Sequence, residues 1–513
     1  MVLRGELAEL MAKIDPELYG PYLTESKRGE KLLYVIMCKA MYGLLRSALL
    51  FYLKLRADLE EFGFKFNDYD PCVANKMVNG KQMTVTFHVD DLKISHVDQL
   101  ELTKMTIWLG KKYGNKLVVH RGDVHDYLGM DLDYSEKGVV KLSMIKQLEK
   151  VFTDFPEDIG RPASTPASDH LFQIRDPEET AKEGKFLDDE RKNQFHHTVA
   201  QLLFITCRVR ADIATPVAFL TTRVKKPDED DWGKLKRVLK YLKGTKYMKL
   251  TISVSDLKTI RWWVDASYNT HDDCKGHTGG MMTLGKTGKG ALLRMCKKQK
   301  LNVRSSCEGE LVGVDDMLPL ILWARYFIED QGYPVEQNIL YQDNKSTILL
   351  ANNGRWSSSK RTKHIKSRYF FIKDKVDQGE VSIEHQPSDR MWSDVLTKPK
   401  QGKGFRTDRS MLMNIPEVYN DEEERRKTHP KLLELAQGLE NSIVTNSMLN
   451  RLDGDRPQHR RSVLDKEQKR VTWKQDIGRV NANDTKVRVR HLEMVRARIV
   501  ARRAKTTVHL GRE

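Results

Sequence analysis

The residues with the clearest capacity for chemistry are carboxylates. The stretch Thr84-Val85-Thr86-Phe87-His88-Val89-Asp90-Asp91-Leu92-Lys93-Ile94 sets two adjacent acids among β-prone residues. Two charges side by side on a β-turn-β element need solvent or a cation to compensate them. A hard cation such as Mg²⁺ prefers oxygen ligands and can accept substrate phosphates at the same time, and nucleotide addition uses two such ions on the attacking and leaving oxygens. Alone, the same dipeptide is usually a plain solvated turn, because Asp favours turns. Further along, Asp265, Glu310, Asp343 and Asp394 each stand at a predicted strand or helix end, in the chain order a metal-dependent nuclease would need. Taken singly, each is also explained by the surface, where Asp and Glu mostly lie.

The elements around these acids must position them. Val85, Phe87 and Ile94 flank the Asp90-Asp91 pair with strand signals, and Asn79-Gly80 is a favourable turn dipeptide joining two strand candidates into a hairpin. Upstream, Leu33, Val35, Ile36, Tyr42, Leu45, Leu49, Tyr52, Leu53, Leu59 and Phe62 recur at near-helical spacing and predict helix over 31–66, ended by Gly63. Residues 99–150 alternate helical and strand signals, and 156–193, with Pro156, Pro162, Pro166 and Pro177, reads as connector. Helical patterning returns over 194–222 and 231–243, the second stopped by Gly244. From 259 the pattern is strand, turn, strand: Ile260, Trp262 and Val264 lead into Asp265, and Gly279-Gly280 follows a polar turn. A helix over 308–333 carries Glu310, a short strand over 338–342 runs into Asp343, and another helix covers 344–352. Strands and helices mixed in this order predict a layered α/β domain. Beyond about 417 the chain is rich in Lys and Arg and poor in aromatics, which predicts a mostly disordered basic tail with a helix near 485–503.

With 513 residues the chain exceeds one ordinary core and suggests two to four domains. Its 88 Lys+Arg against 71 Asp+Glu leave a net charge of +17, which attracts polyanions, nucleic acid above all, or is a solvated basic surface with no specific partner. The basic runs at His459-Arg460-Arg461, Lys469-Arg470 and Arg496 through Arg503 would bind nucleic acid in a salt-dependent way, or are an extension without a role. Six cysteines lack CxxC pairs, which argues against a zinc site or a disulfide framework and for a reducing compartment. No apolar stretch reaches membrane-spanning length, and the start of the chain lacks the apolar run of a secretory signal, so an intracellular, soluble protein is expected.

Ordered motifs sharpen this picture. Met41-Tyr42-Gly43-Leu44, Gly63-Phe64, Asp70-Pro71-Cys72-Val73, His88-Val89-Asp90-Asp91, Tyr127-Leu128-Gly129-Met130, Thr165-Pro166 and Tyr241-Leu242-Lys243-Gly244-Thr245 follow one another. Val264-Asp265-Ala266-Ser267, Lys275 to Gly279, Lys297-Lys298-Gln299, Ser305 to Glu310, Asp343-Asn344, Thr362-Lys363-His364-Ile365 and Asp394 to Pro399 come next. In this order they resemble part of a copia-type (Pseudoviridae-like) retrotransposon Pol polyprotein: reverse transcriptase over roughly 30–250, then ribonuclease H over about 258–415.

The resemblance implies an α/β (α+β) fold. A truncated reverse-transcriptase palm would span 1–135, a thumb or connection region 136–255, a ribonuclease H-like domain 256–416, and the disordered basic tail 417–513. It implies that Asp90 and Asp91 are metal ligands of the palm, with His88 in place of the family's usual aromatic. The family's first catalytic Asp lies in a segment with no counterpart here, so polymerisation by this chain is expected to be incomplete. Asp265, Glu310, Asp343 and Asp394 would be the ligands of a two-Mg²⁺ ribonuclease H site, with Glu310 preferred to Glu308 because it directly precedes the apolar helix face of Leu311-Val312. Lys363-His364 would contact a phosphate or assist product release, or is structural. Cys307 and Gly309 replace the Thr and Ala of the family pattern. The implied activity is RNA-templated DNA synthesis in the intact element and cleavage of RNA in RNA–DNA hybrids, on template RNA and primer. A catalytically decayed nucleic-acid-binding remnant is the alternative. The implied location is the cytoplasm, in a virus-like particle, and the nucleus.

Overall fold

The computed structural model describes residues 1–36, 45–114, 117–354, 366–428 and 484–489. The motifs at 41–44 and 362–365 and the basic runs at 459–461, 469–470 and 496–503 lie outside the described residues. Among the described residues the fold is mixed α/β, built on four sheets, and divides into two compact units. Among the described residues the first comprises Met1–Phe66, Cys72–His120 and 485–489, the second Asn67–Pro71 and residues from Arg121 to Asp484.

In the first unit the predicted helix over 31–66 is in fact a strand followed by a helix. Lys31–Tyr34 pairs antiparallel with both Val2–Arg4 and Leu23–Glu25. Along the strand and just past it burial alternates, with Leu33 and Val35 buried while Tyr34 and Ile36 are exposed, a period of two whose short run also fits helical spacing. Helix begins at Leu45 and runs to Glu61, and Gly63 (φ 93°) then turns the chain. The expected hairpin is present. Val73–Val78 pairs with Lys81–His88 through Asn79 and Gly80, both at positive φ, which is what a two-residue hairpin turn of this hand demands. Met83, Val85 and Phe87 point into a core with Leu55, Leu59, Phe64, Leu92, Ile94, Leu102, Met105 and Leu109. Lys81–His88 continues into Asp91–Ser95 through Val89 and Asp90.

Val89 is the strained residue of that turn. Its φ is +55°, a region a β-branched residue enters at a cost of about 1–2 kcal/mol. Val89→Gly is therefore expected to stabilise the hairpin by about 1 kcal/mol. Slower amide exchange over Lys81–His88 and Asp91–Ser95 would report this; unchanged exchange would mean the turn carries no strain.

The second unit opens with an antiparallel four-stranded sheet ordered Leu250–Ser253, Val139–Ser143, Met130–Asp133, Val124–Tyr127. Helices Ile145–Asp154, Asp189–Thr206, Ala214–Arg223 and Glu229–Lys243 follow its third strand in the chain. The connector at 156–193 holds one more short helix, Pro177–Lys182, capped by Asp176 with proline in its first turn. The helix expected over 194–222 is broken at Cys207–Ile213, because Arg210 turns inward. Arg210 donates to Asp212 (Nε–Oδ1 2.9 Å, Nη2–Oδ2 2.7 Å) and to the carbonyl and hydroxyl oxygens of Thr245. Tyr241 Oη donates to Asp212 Oδ2 at 2.7 Å. Two members of the Tyr241–Thr245 motif thus complete a buried ion pair.

The chain then forms a five-stranded sheet ordered Leu293–Lys298, His277–Leu284, Thr259–Ser267, Gln337–Gln342, Ser382–His385. Its first three strands are antiparallel and its last two run parallel to the central Thr259–Ser267. This order, with the long helix Ser306–Asp330 packed on the central strand, is a layered α/β arrangement, as the mixed strand and helix order predicts. The central strand is paired on both edges, so its residues read as a nearly continuous buried run. Ile260, Trp262 and Val264 enter one core with Val314, Met317 and Ile321 of the helix, and Trp263 enters the other. Leu293–Lys298 had no sequence signal, because all six residues are half-buried and none alternates. Asp484–Val489 is a strand where a helix was expected, and Thr485, Val487 and Val489 alternate there with Lys486 and Arg488.

Candidate metal centre

Parallel neighbours bring their carboxyl ends to one edge, where α/β proteins place their sites. Thr259–Ser267 and Gln337–Gln342 are such neighbours, and Asp265 and Asp343 stand at that edge. Glu310 enters from the start of the long helix, whose first turn is set by Ser305 capping Glu308 N at 3.3 Å. One carboxylate oxygen from each of Asp265, Glu310 and Asp343 lies within 4.8 Å of the other two. Among the described residues this is the group of acidic, His or Cys side chains close enough to share an ion. Glu308 lies off the group, accepting from Arg304 N at 2.7 Å.

Each carboxylate accepts from at least one neutral donor. Glu310 Oε2 accepts from Ala266 N at 3.0 Å and from Gln342 Nε2 at 3.2 Å. Gln342 is itself tied down, its Nε2 donating to Val264 O at 3.3 Å and its Oε1 accepting from Asn344 N at 3.0 Å. Ser388 Oγ donates to Asp343 Oδ2 at 2.8 Å, and Thr397 Oγ1 donates to Asp265 Oδ2. Sequence reasoning missed Gln342, Ser388 and Thr397 as supports. The available signals were the position of Gln342 directly before Asp343 and that of Thr397 inside the Asp394–Pro399 motif.

Asp394 sits beside the group rather than in it. It belongs to the 3₁₀ turn Trp392–Leu396, and Lys398 Nζ bridges it to Asp265, at 3.0 Å from Asp394 Oδ1 and 3.3 Å from Asp265 Oδ2. Gly279 allows this turn to lie flat on the sheet: a Cβ there would meet Thr397 Cγ2 at 2.6 Å and Leu396 Cβ at 2.8 Å. A side chain at 279 would push Thr397 off Asp265.

Burial makes the group electrostatically costly. Asp265 is 1% exposed, and desolvation, with Asp394 and Asp343 adding like charge, raises its carboxyl to about 6 against the pull of Lys398. Glu310 is held well above its ordinary value by desolvation first and by the Asp265 and Asp343 charges next. Three convergent oxygen donors with no sulfur or imidazole fit a hard divalent cation such as Mg²⁺ or Mn²⁺, whose charge would offset that cost. Asp90 and Asp91 have no part in this cluster. They occupy the hairpin turn of the first unit, half-buried, at the His88–Asp91 closing pair.

By fold this is a mixed α/β protein, and its site gathers three carboxylates at one sheet edge. Over most of its length the chain is similar to retrovirus-related Pol polyproteins of copia-type transposons, which bears out the resemblance read from its motifs. It is 26% identical over 400 residues to the Pol polyprotein from transposon TNT 1-94 of Nicotiana tabacum, covering 77% of this chain and 29% of that protein. It is 26% identical over 368 residues to the Pol polyprotein from transposon RE2 of Arabidopsis thaliana, covering 72% of this chain and 24% of the relative. The chain therefore spans less than a third of the length of these relatives. A solved ribonuclease H1 isolated from compost by a metagenomic approach matches 27% of this chain and 93% of its own, at 12% identity and a TM-score of 0.22. No protein-family model matches the chain. Among the described residues, no helix is long and apolar enough to cross a membrane.

Proposed function

We propose that the second unit carries a Mg²⁺-dependent ribonuclease H centre that cleaves the RNA strand of RNA–DNA hybrids. The convergence of Asp265, Glu310 and Asp343 at one sheet edge, within 4.8 Å, carries this reading. Those three residues would hold the first ion, and Asp394 with Asp265 a second. Bound divalent ions supply a polarised water and charge stabilisation for the departing 3′ oxygen. Ala266 N and Gln342 keep Glu310 aimed at the site, Ser388 does the same for Asp343, and Thr397 for Asp265. Such supports commonly change metal affinity or activity by about 10–100-fold when lost. The net charge of +17 favours a polyanionic substrate.

Asp90 and Asp91 are assigned, in the same reading, to the polymerase palm of the intact element, where template RNA and primer would meet them. RNA-templated DNA synthesis and residence in a cytoplasmic virus-like particle, with access to the nucleus, belong to that intact element.

The test is a labelled RNA–DNA hybrid incubated with the full chain and Mg²⁺, beside Asp343→Asn. Shortening of the RNA strand by the unmodified chain, and about 10²–10³-fold less by the variant, is expected. Equal rates would leave a nucleic-acid-binding remnant as the better reading.

A further inference from the structure

The three carboxylates of the group and the adjacent Asp394 are neutralised unevenly. Glu310 and Asp343 accept only from neutral groups in the hydrogen bonds and ion pairs described above. The ammonium contacts all fall on the other two. Lys398 Nζ takes Asp394 Oδ1 and Asp265 Oδ2, and Lys400 Nζ takes Asp394 Oδ2 at 3.4 Å. Lys400 is anchored a second time, at 2.6 Å from Asp408 Oδ2. Lys398 has no such second anchor in the described ion pairs, and its side chain is 46% exposed.

The backbone explains why Lys398 arrives where it does. Its N–H donates to Asp394 O at 2.9 Å, closing a helical turn that lays residue 398 over residue 394. Thr397, one residue earlier, is meanwhile pinned to Asp265. The ammonium is thus held between Asp265 of the cluster and Asp394 beside it, on a flexible four-carbon stem whose other side is solvent.

Resting on the ribonuclease H reading above, we propose that Lys398 is an internal cation of the centre, competing with a second divalent ion for the Asp265–Asp394 pair. The Asp265–Glu310–Asp343 group, where no ammonium bridges two members, takes the first ion. The second enters only as Lys398 swings out to solvent, while Lys400 stays with Asp408. Lys398 is in this sense a positioning residue: it sets the order and relative strength of two ion sites.

The full chain titrated with Mn²⁺ alone, by calorimetry and by the spin-resonance signal of free Mn²⁺, tests this without any measurement of activity. One strong and one weaker ion are expected for the unmodified chain. Lys398→Met should tighten the weaker site about tenfold and the strong one, which shares only Asp265 with it, by less, in keeping with the size of outer-partner effects on metal affinity. Lys398→Arg, which keeps the charge, should keep the weaker site weak. A Lys398→Met site that is unchanged or weaker, in a variant that unfolds at the same temperature as the parent, overturns the proposal. Asp343→Asn separates this from the reading beneath it. If that variant binds two ions as the parent does, the carboxylate group is no metal centre, and both ideas fall.

Discussion

Asp265→Asn is expected to make the ion-free chain more stable by about 1–3 kcal/mol at pH 7, while reducing hybrid cleavage by about 10²–10³-fold. The stabilisation follows from desolvation of the carboxylate. Asp265 is raised from near 3.8 in the unfolded chain to about 6 in the fold, so the folded form binds the extra proton. Below the unfolded value the acid is neutral in both states and folding bears no charge penalty. As pH climbs from about 4 to about 6 the penalty grows, and above that it is fully present. An amide removes that charge, at the expense of the Lys398 ion pair and part of the Thr397 hydrogen bond, so the gain falls short of the full shift. The unfolding midpoint in chelator should therefore rise in the variant at pH 7 and match the parent near pH 4. Mg²⁺ should stabilise the parent and not the variant. A variant less stable than its parent at pH 7 would show that the Asp265 carboxylate is compensated within the protein and needs no ion.

Asp212→Ala is expected to be the most damaging single change outside the site, costing about 3–5 kcal/mol. Both side chains of the Arg210–Asp212 pair are out of solvent, at 1% and 0% exposure. Burial alone would push Asp212 upward, but the charge of Arg210 and its two hydrogen bonds outweigh it and hold the carboxyl below its ordinary value. Removing the acid leaves a buried guanidinium with only the two oxygens of Thr245, and Tyr241 Oη without its acceptor. The sign with pH is opposite to that of Asp265: the stabilisation is present above the unfolded value near 4 and is lost as pH falls through the lower folded one. A lower urea midpoint, by the stated amount, is the expected readout at pH 7. Asp212→Leu combined with Arg210→Met should recover much of it, since an apolar pair has no charge to strand. An unchanged midpoint for Asp212→Ala would show that Thr245 and Tyr241 suffice to hold Arg210.

The parts of the fold legible in the sequence were those where one local rule dominates. Asn79-Gly80 can be little other than a two-residue hairpin turn, and Trp232, Leu235, Val238, Leu239 and Leu242 define one helix face before Gly244. What failed was local pattern without tertiary context. Leu33 and Val35 fit a helical period as well as a strand until the partners Val2–Arg4 and Leu23–Glu25 are known. Arg210, whose type predicts a surface, breaks a helix because Asp212 and Thr245 await it inside. At the site, carboxylates at the ends of strands could be picked out by type and order. Their supports could not, since Ser388 and Thr397 meet Asp343 and Asp265 from 45 and 132 residues away. The departure of Asp394 from the three-carboxylate group, and its link to Asp265 through Lys398, had no signature in spacing at all.

The most direct measurement of the central claim follows the two strands of one hybrid separately. The full-length chain is given an RNA–DNA hybrid labelled on the RNA strand or on the DNA strand, with Mg²⁺ and then with a chelator. The proposed centre would give Mg²⁺-dependent shortening of the RNA strand alone, lost in Asp265→Asn and in Asp343→Asn. Cleavage that survives chelation, or that persists at the parental rate in both variants, would contradict the assignment of Asp265, Glu310 and Asp343 as a metal-dependent nuclease centre.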